Sequence, residues 1–236
     1  MSQPAAEDLR IPHAGAYLAA RLHRPPQSPL ACAVIAHGLF SSMESLKLTR
    51  LARSLAAAGF MALQFDHAGC GQSPGEMEQT SLTTRRDEYL AAAEHLEGLA
   101  SGLAMAYLGS SMGGSAAILA ADLKAPACLA VWSAPSDFEE LYLRLRSQPE
   151  RPHLPALERD IPRHDLISIL ARTSRALFVH GENDETVPVR QAREAFRLAL
   201  EPKELLILPG ADHRLSRDAD QELATARTLA WLKRFI

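Results

Sequence analysis

Long apolar runs, charge of one sign, aromatics and cysteine are all scarce in this chain of 236 residues. No apolar run approaches the ~20 residues that cross a bilayer. The opening Met-Ser-Gln-Pro-Ala-Ala-Glu-Asp has no basic segment followed by an apolar one. Neither a membrane span nor a signal peptide is expected. The 25 Lys and Arg against 28 Asp and Glu leave a formal charge of −3, which offers nucleic acid no electrostatic attraction. At 6% aromatic residues, a stacking platform for bases or sugars is not expected either. The three cysteines, Cys32, Cys70 and Cys128, are odd in number and scattered. Cys32 and Cys128 lie in apolar, strand-like runs and read as small core residues. A reduced, cytoplasmic compartment fits. No His/Cys/Asp group has metal-ligand spacing, and no dinucleotide or phosphate-loop fingerprint is present, so no metal and no cofactor is expected.

What remains is an ordinary globular composition, 47% apolar and 22% charged, long enough for one α/β domain over residues 1–236. Residues 7–24 read as an antiparallel hairpin turning near Pro12-His13-Ala14-Gly15. Short apolar runs at 31–36, 60–65, 104–108, 127–132, 175–180 and 203–208 read as strands buried on both faces. Helices are expected at 45–58, 82–98, after residue 111, at 189–200 and at 216–234. The alternation predicts a mostly parallel, eight-stranded sheet with helices on both faces. Residues 134–170 break the rhythm with Pro135, Pro149, Pro152, Pro155 and Pro162. That stretch is too long for a plain loop and reads as a small helical cap.

Between the run at 104–108 and the following helix stands Gly109-Ser110-Ser111-Met112-Gly113, a G-x-S-x-G pattern. A sharp strand-to-helix turn would lift the Ser111 hydroxyl above the sheet, and the helix start would aim N–H groups at a forming oxyanion. A serine needs a base. His213 follows the last strand, in a loop where ligands of such sheets bind; His180, at a strand end, is the alternative. The base needs a carboxylate to orient it. Asp184, before Val187-Pro188, is the candidate, with Glu182 and Glu185 as neighbours and Asp212 as a turn residue. The oxyanion hole needs two donors: the N–H of Met112, and that of Leu39 in His37-Gly38-Leu39-Phe40. Ser110, Ser115 and His37 read as structural, and Ser111 has the competing role of a helix cap.

With Asp66-His67-Ala68-Gly69-Cys70-Gly71-Gln72-Ser73 added, these features stand in the order of the α/β-hydrolase superfamily, which the chain resembles along nearly its whole length. Within it the chain is similar to small, short-capped serine esterases and acyl thioesterases. The resemblance implies an α/β-hydrolase fold and places Asp66–Ser73 at the rim of the site, with Asp66 fixing the loop. Phe40, Trp132 and Phe138 are candidates to contact substrate, with Tyr142 beside them; core packing is their other reading. Arg144, Arg146, Arg151, Arg159 and Arg163 put positive charge on the cap, which reads as a solvated surface. The expected activity is hydrolysis of carboxylic esters with small or medium acyl groups. The same residues would serve a thioesterase, amidase or peptidase, or a haloperoxidase or lyase, and the fold could also be a binding module. The expected partner is a small-molecule ester or thioester.

Overall fold

Two adjacent residues with positive φ, Ala14 at 47° and Gly15 at 76°, make the turn between β1 (Ala5–His13) and β2 (Ala16–Arg24). Turns of that hand match the twist of paired strands. The two pair antiparallel from Ala5↔Arg24 to His13↔Ala16. The computed structural model describes residues 5–147 and 153–236. After the hairpin come β3 (Ala31–Ala36), α1 (Leu46–Ala57), β4 (Phe60–Phe65), α2 (Leu82–Leu99), β5 (Met105–Ser110), α3 (Met112–Leu123) and β6 (Cys128–Trp132). They are followed by α4 (Phe138–Arg146), α5 (Pro155–Asp160), α6 (Leu166–Leu170), β7 (Ala176–Gly181), α7 (Val189–Leu198), β8 (Lys203–Leu208) and α8 (Asp218–Leu232).

The strands form one sheet in the order β1-β2-β4-β3-β5-β6-β7-β8. β2 joins β4 antiparallel, and the pairings from β4 through β8 are parallel. This is the mostly parallel, eight-stranded sheet that the alternating pattern and the α/β-hydrolase resemblance implied. Successive strand side chains point to opposite faces. In β3, Cys32, Val34 and Ala36 enter the core shared with α2, α3 and α7. Ala31, Ala33 and Ile35 enter the core shared with α1 and α8. All three cysteines are buried and unbridged.

Residues 134–170 carry α4, α5, a 3-10 turn at Ile161–Arg163 and α6. Leu141, Leu157, Leu166 and Leu170 of this segment pack into the α3 side of the core. Gln191 of α7, itself buried, accepts the N–H groups of Ser136 and Asp137 at 2.9 and 3.0 Å. Asp160 accepts the N–H and hydroxyl of Thr83 at 2.8 and 2.9 Å. Pro149, Arg151 and Pro152 lie outside the described residues, as does the N-terminus up to Pro4. Among the described residues no helix is long and apolar enough to cross a membrane.

Candidate active site

β5 ends at Ser110 and α3 begins at Met112, so the chain must turn from strand to helix at Ser111 alone. It does so at φ 54° and ψ −130°. A non-glycine residue held there carries about 1–3 kcal/mol of strain, which the surroundings must overcome. The Ser111 N–H donates to the Trp132 carbonyl at 2.8 Å, and the Ser111 carbonyl accepts from Gly114 N–H at 2.8 Å. Gly113 has no alternative: a Cβ there would lie 2.4 Å from the carbonyl oxygens of both Ala36 and His37. Its absence lets α3 press onto the end of β3, leaving Ser111 half-buried and reachable.

His213 arrives on the loop after β8, with Nε2 3.1 Å from Ser111 Oγ. Its Nδ1 is 2.9 and 2.8 Å from the two oxygens of Asp184, on the loop after β7. A carboxylate facing Nδ1 fixes the proton there and leaves the Nε2 lone pair toward the serine. Asp184 also accepts the N–H groups of Thr186 and Val187 at 2.9 and 2.7 Å. Burial acts to raise its pKa. The hydrogen bonds from His180 and His213, the charge of the latter and the Val187 N–H outweigh it and hold the carboxyl well below the usual range.

The other candidates find different work. His180 is buried, with Nε2 2.8 Å from the Val187 carbonyl and 3.2 Å from Asp184 Oδ2. Both neighbours accept, so Nε2 carries the proton: His180 supports Asp184 from behind. Glu182 accepts Gly210 N–H at 3.0 Å and Glu185 accepts His213 N–H at 3.2 Å, tying the two loops together. Asp212 accepts from Ser216, as a turn residue does. Lys47 Nζ donates to the His213 carbonyl at 3.5 Å; burial brings its pKa down to about 8.

The loop after β3 lies against the serine: a Cβ on Gly38 would be 3.1 Å from Ser111 Cβ. Among the described residues the Leu39 N–H has no acceptor within the protein. The Met112 N–H, in the first turn of α3, has no intrahelical partner. Behind the loop lies a buried polar network. His37 Nδ1 donates to the Gly38 carbonyl at 2.7 Å, and its Nε2 accepts the His67 N–H at 3.1 Å. Both nitrogens are thereby used by a neutral ring; burial, with the Arg85 charge adding to it, drives its pKa well down. Asp66 accepts Met43 N–H at 2.6 Å and Gln72 N–H at 2.8 Å, fixing the loop. Two members of this network, Arg85 and Glu88 on α2, are not among the residues expected from the sequence. The signal was available: Leu82, Arg85, Tyr89, Ala92 and Leu96 repeat every three or four residues and are all buried, which puts Arg85 on the core-facing stripe.

Of the three candidates for substrate contact, Trp132 needs correction. It shares strand parity with Cys128 and Ala130, and points with them into the α1–α8 core. Its indole donates to Thr228 Oγ1 of α8 at 3.0 Å, so it packs the core. Phe40, beside Leu39, is 42% exposed, and Phe138 is buried at the start of α4. Tyr142 donates to Glu158 at 2.7 Å. In the 134–170 segment, Arg144 pairs with Glu140 and Arg146 with Glu158, both as exposed ion pairs; Arg151 lies outside the described residues.

The family model described as serine aminopeptidase, S33, matches residues 27–153. The match takes in the loop after β3, Asp66–Ser73 and Ser111, and stops short of Asp184 and His213. An uncharacterized protein of Mycobacterium tuberculosis is 29% identical over 195 residues, which cover 79% of this chain and 63% of that protein. The chain thus spans less than two thirds of that relative. Human monoglyceride lipase is 33% identical over 108 residues, 45% of this chain and 35% of the lipase. Among solved structures, Est1E from Butyrivibrio proteoclasticus with ferulic acid bound superposes with a TM-score of 0.84 at 19% identity, covering 95% of this chain and 99% of the other. That likeness is one of fold.

Proposed function

This chain belongs to the serine aminopeptidase S33 family, within the α/β-hydrolase superfamily, and from that premise we propose that it is a serine hydrolase cleaving carboxylic esters of small or medium acyl groups. The observation that carries the proposal is the unbroken run from Ser111 Oγ to His213 at 3.1 Å and from His213 to Asp184 at 2.8 Å. As the Ser111 oxygen attacks the acyl carbon, its proton passes to His213 Nε2, and Asp184 stabilises the imidazolium. The carbonyl oxygen becomes an oxyanion, held by the N–H groups of Met112 and Leu39. Collapse expels the alcohol, which takes the proton from His213, and leaves an acyl group on Ser111. Water deprotonated by His213 then releases the acid and restores the serine. No cofactor enters these steps. Phe40 and Phe138 are the side chains proposed to meet the acyl or alcohol group.

The family description supports a second reading, cleavage of amides by the same residues; thioesters are a third class of substrate. The test is turnover of matched ester, thioester and amide substrates, with a p-nitrophenyl ester chain-length series. Wild type, Ser111→Ala and His213→Ala are compared. Turnover confined to wild type and greatest with short or medium esters is expected. A preference for amides or for long-chain lipid esters would replace the ester reading, and activity surviving Ser111→Ala would remove the acyl-enzyme.

A further inference from the structure

Arg85 is 0% exposed, and among the described residues no carboxylate lies within ion-pair distance of it. Leaving a charge buried without a charged partner costs several kcal/mol unless hydrogen bonds replace its hydration. Here the replacement comes from the oxyanion loop. Nη1 donates to the Gly38 carbonyl at 3.4 Å and Nη2 to the Leu39 carbonyl at 3.2 Å. Nε donates to Thr80 Oγ1 at 2.8 Å, and Nη2 also meets Cys70 Sγ at 3.4 Å.

The Gly38 carbonyl and the Leu39 N–H belong to one peptide unit. That unit is trans, since among the described residues the cis bond is Glu201-Pro202. In a trans peptide the C=O and N–H point in opposite directions. Two donors, Arg85 and His37 Nδ1, therefore grip the back of the unit whose front presents the Leu39 N–H. A cation on the carbonyl fixes the tilt of the plane. It also polarises the peptide, which makes its N–H a stronger donor. A guanidinium suits this position because its planar fork reaches two successive carbonyls and stays protonated when buried.

We propose that Arg85 is a positioning residue for the oxyanion hole, holding the Gly38–Leu39 peptide from behind so that the Leu39 N–H meets the oxyanion formed on Ser111. The proposal rests on the serine-hydrolase reading above. It is tested on full-length wild type, Arg85→Met and Arg85→Lys, each normalised by end-point titration with a fluorophosphonate so that only folded, reactive sites are counted. Two quantities are read per active site: kcat and KM for a short p-nitrophenyl ester, and the inhibition constant of a trifluoromethyl ketone. The ketone takes the Ser111 oxygen on its carbonyl carbon, passes the serine proton to His213 and places an oxyanion in the hole.

Removing an oxyanion donor outright costs roughly 100- to 1000-fold in kcat. Loosening one is expected to cost about 10- to 100-fold in Arg85→Met, with KM changed less than about threefold and ketone affinity falling in parallel with kcat. Arg85→Lys keeps the charge but loses the fork; it is expected to lose at least about threefold in both, and it carries the test if Arg85→Met does not fold. Wild-type kcat and ketone affinity per active site in the folded variants would overturn the proposal. A folded wild type that neither turns over the ester nor takes a fluorophosphonate label on Ser111 would instead overturn the serine-hydrolase reading on which it rests.

Discussion

Two histidine–carboxylate pairs sit at the carboxyl ends of strands in the same sheet, with nearly the same spacing: His213–Asp184 at 2.8 Å and His67–Glu88 at 2.6 Å. Their surroundings set them apart. The His213 side chain is 15% exposed and turns its other nitrogen to Ser111 Oγ. His67 is fully buried, and among the described residues its Nε2 meets no partner. Asp184 receives two backbone N–H groups and two histidines, and stays charged. Glu88 is desolvated, and its pKa is pushed up from 4.5 to about 7 despite the pull of Arg85. Burial also drives His67 well down. The second spacing is that of an ion pair, yet burial favours its neutral form. A histidine on a carboxylate is therefore not in itself a proton relay. The proposed proton transfer needs a free nitrogen facing a hydroxyl and a carboxylate held ionised, and of these two pairs His213–Asp184 has both. The buried pair belongs to the scaffold behind the loop after β3, out of reach of Ser111.

The sharpest way to break this contrast is to neutralise each carboxylate. Asp184→Asn removes the acceptor that fixes the His213 tautomer, and kcat/KM for a p-nitrophenyl ester is expected to fall by about 10⁴ with the fold intact by circular dichroism. A loss smaller than tenfold would deny Asp184 its role.

Glu88→Gln is expected to show itself in stability. Glu88 binds its proton more tightly in the folded chain than in the unfolded one. The folded state therefore loses stability as pH rises from about 4.5 to about 7, by up to roughly 3 kcal/mol. Glu88→Gln abolishes that loss, so its Tm relative to wild type should be higher at pH 8 than at pH 5. A difference independent of pH would mean that Glu88 does not hold its proton in the fold.

The smallest effect concerns His180. His180→Leu leaves Asp184 Oδ2 without its second donor and is expected to lower kcat about tenfold with KM little changed, a fraction of the full triad effect. His180→Gln, which can present an N–H in the same place, should restore most of it. Equal loss in both variants would assign His180 to packing alone.

Much of this was legible in the amino-acid sequence, for physical reasons. Strands buried on both faces must be continuous apolar runs, so β3, β4 and β6 stood out between their turns. The elbow was legible because the turn at Ser111 tolerates no side chain at Gly113. His213 and Asp184 followed from chain order, since both loops leave carboxyl ends of neighbouring strands, β8 and β7. Trp132 misled because an aromatic residue at a strand end suits a pocket or a core equally, and only strand parity decides between them. Arg85 and Glu88 were passed over because charge on a helix ordinarily faces water. Their burial depends on carbonyls and a histidine from loops distant in sequence, Gly38, Leu39 and His67. His180 revealed its contact with Asp184 only once the loop after β7 folded back toward it.

The most direct measurement is fluorophosphonate labelling of wild type, His213→Ala, Asp184→Asn and Glu88→Gln, with the adduct located by peptide mass mapping. A single adduct on Ser111, formed quickly in wild type and Glu88→Gln and at least 100-fold more slowly in the other two, is expected if the exposed pair drives the serine. A folded wild type that takes no label, or labelling that slows as much in Glu88→Gln as in Asp184→Asn, would contradict it.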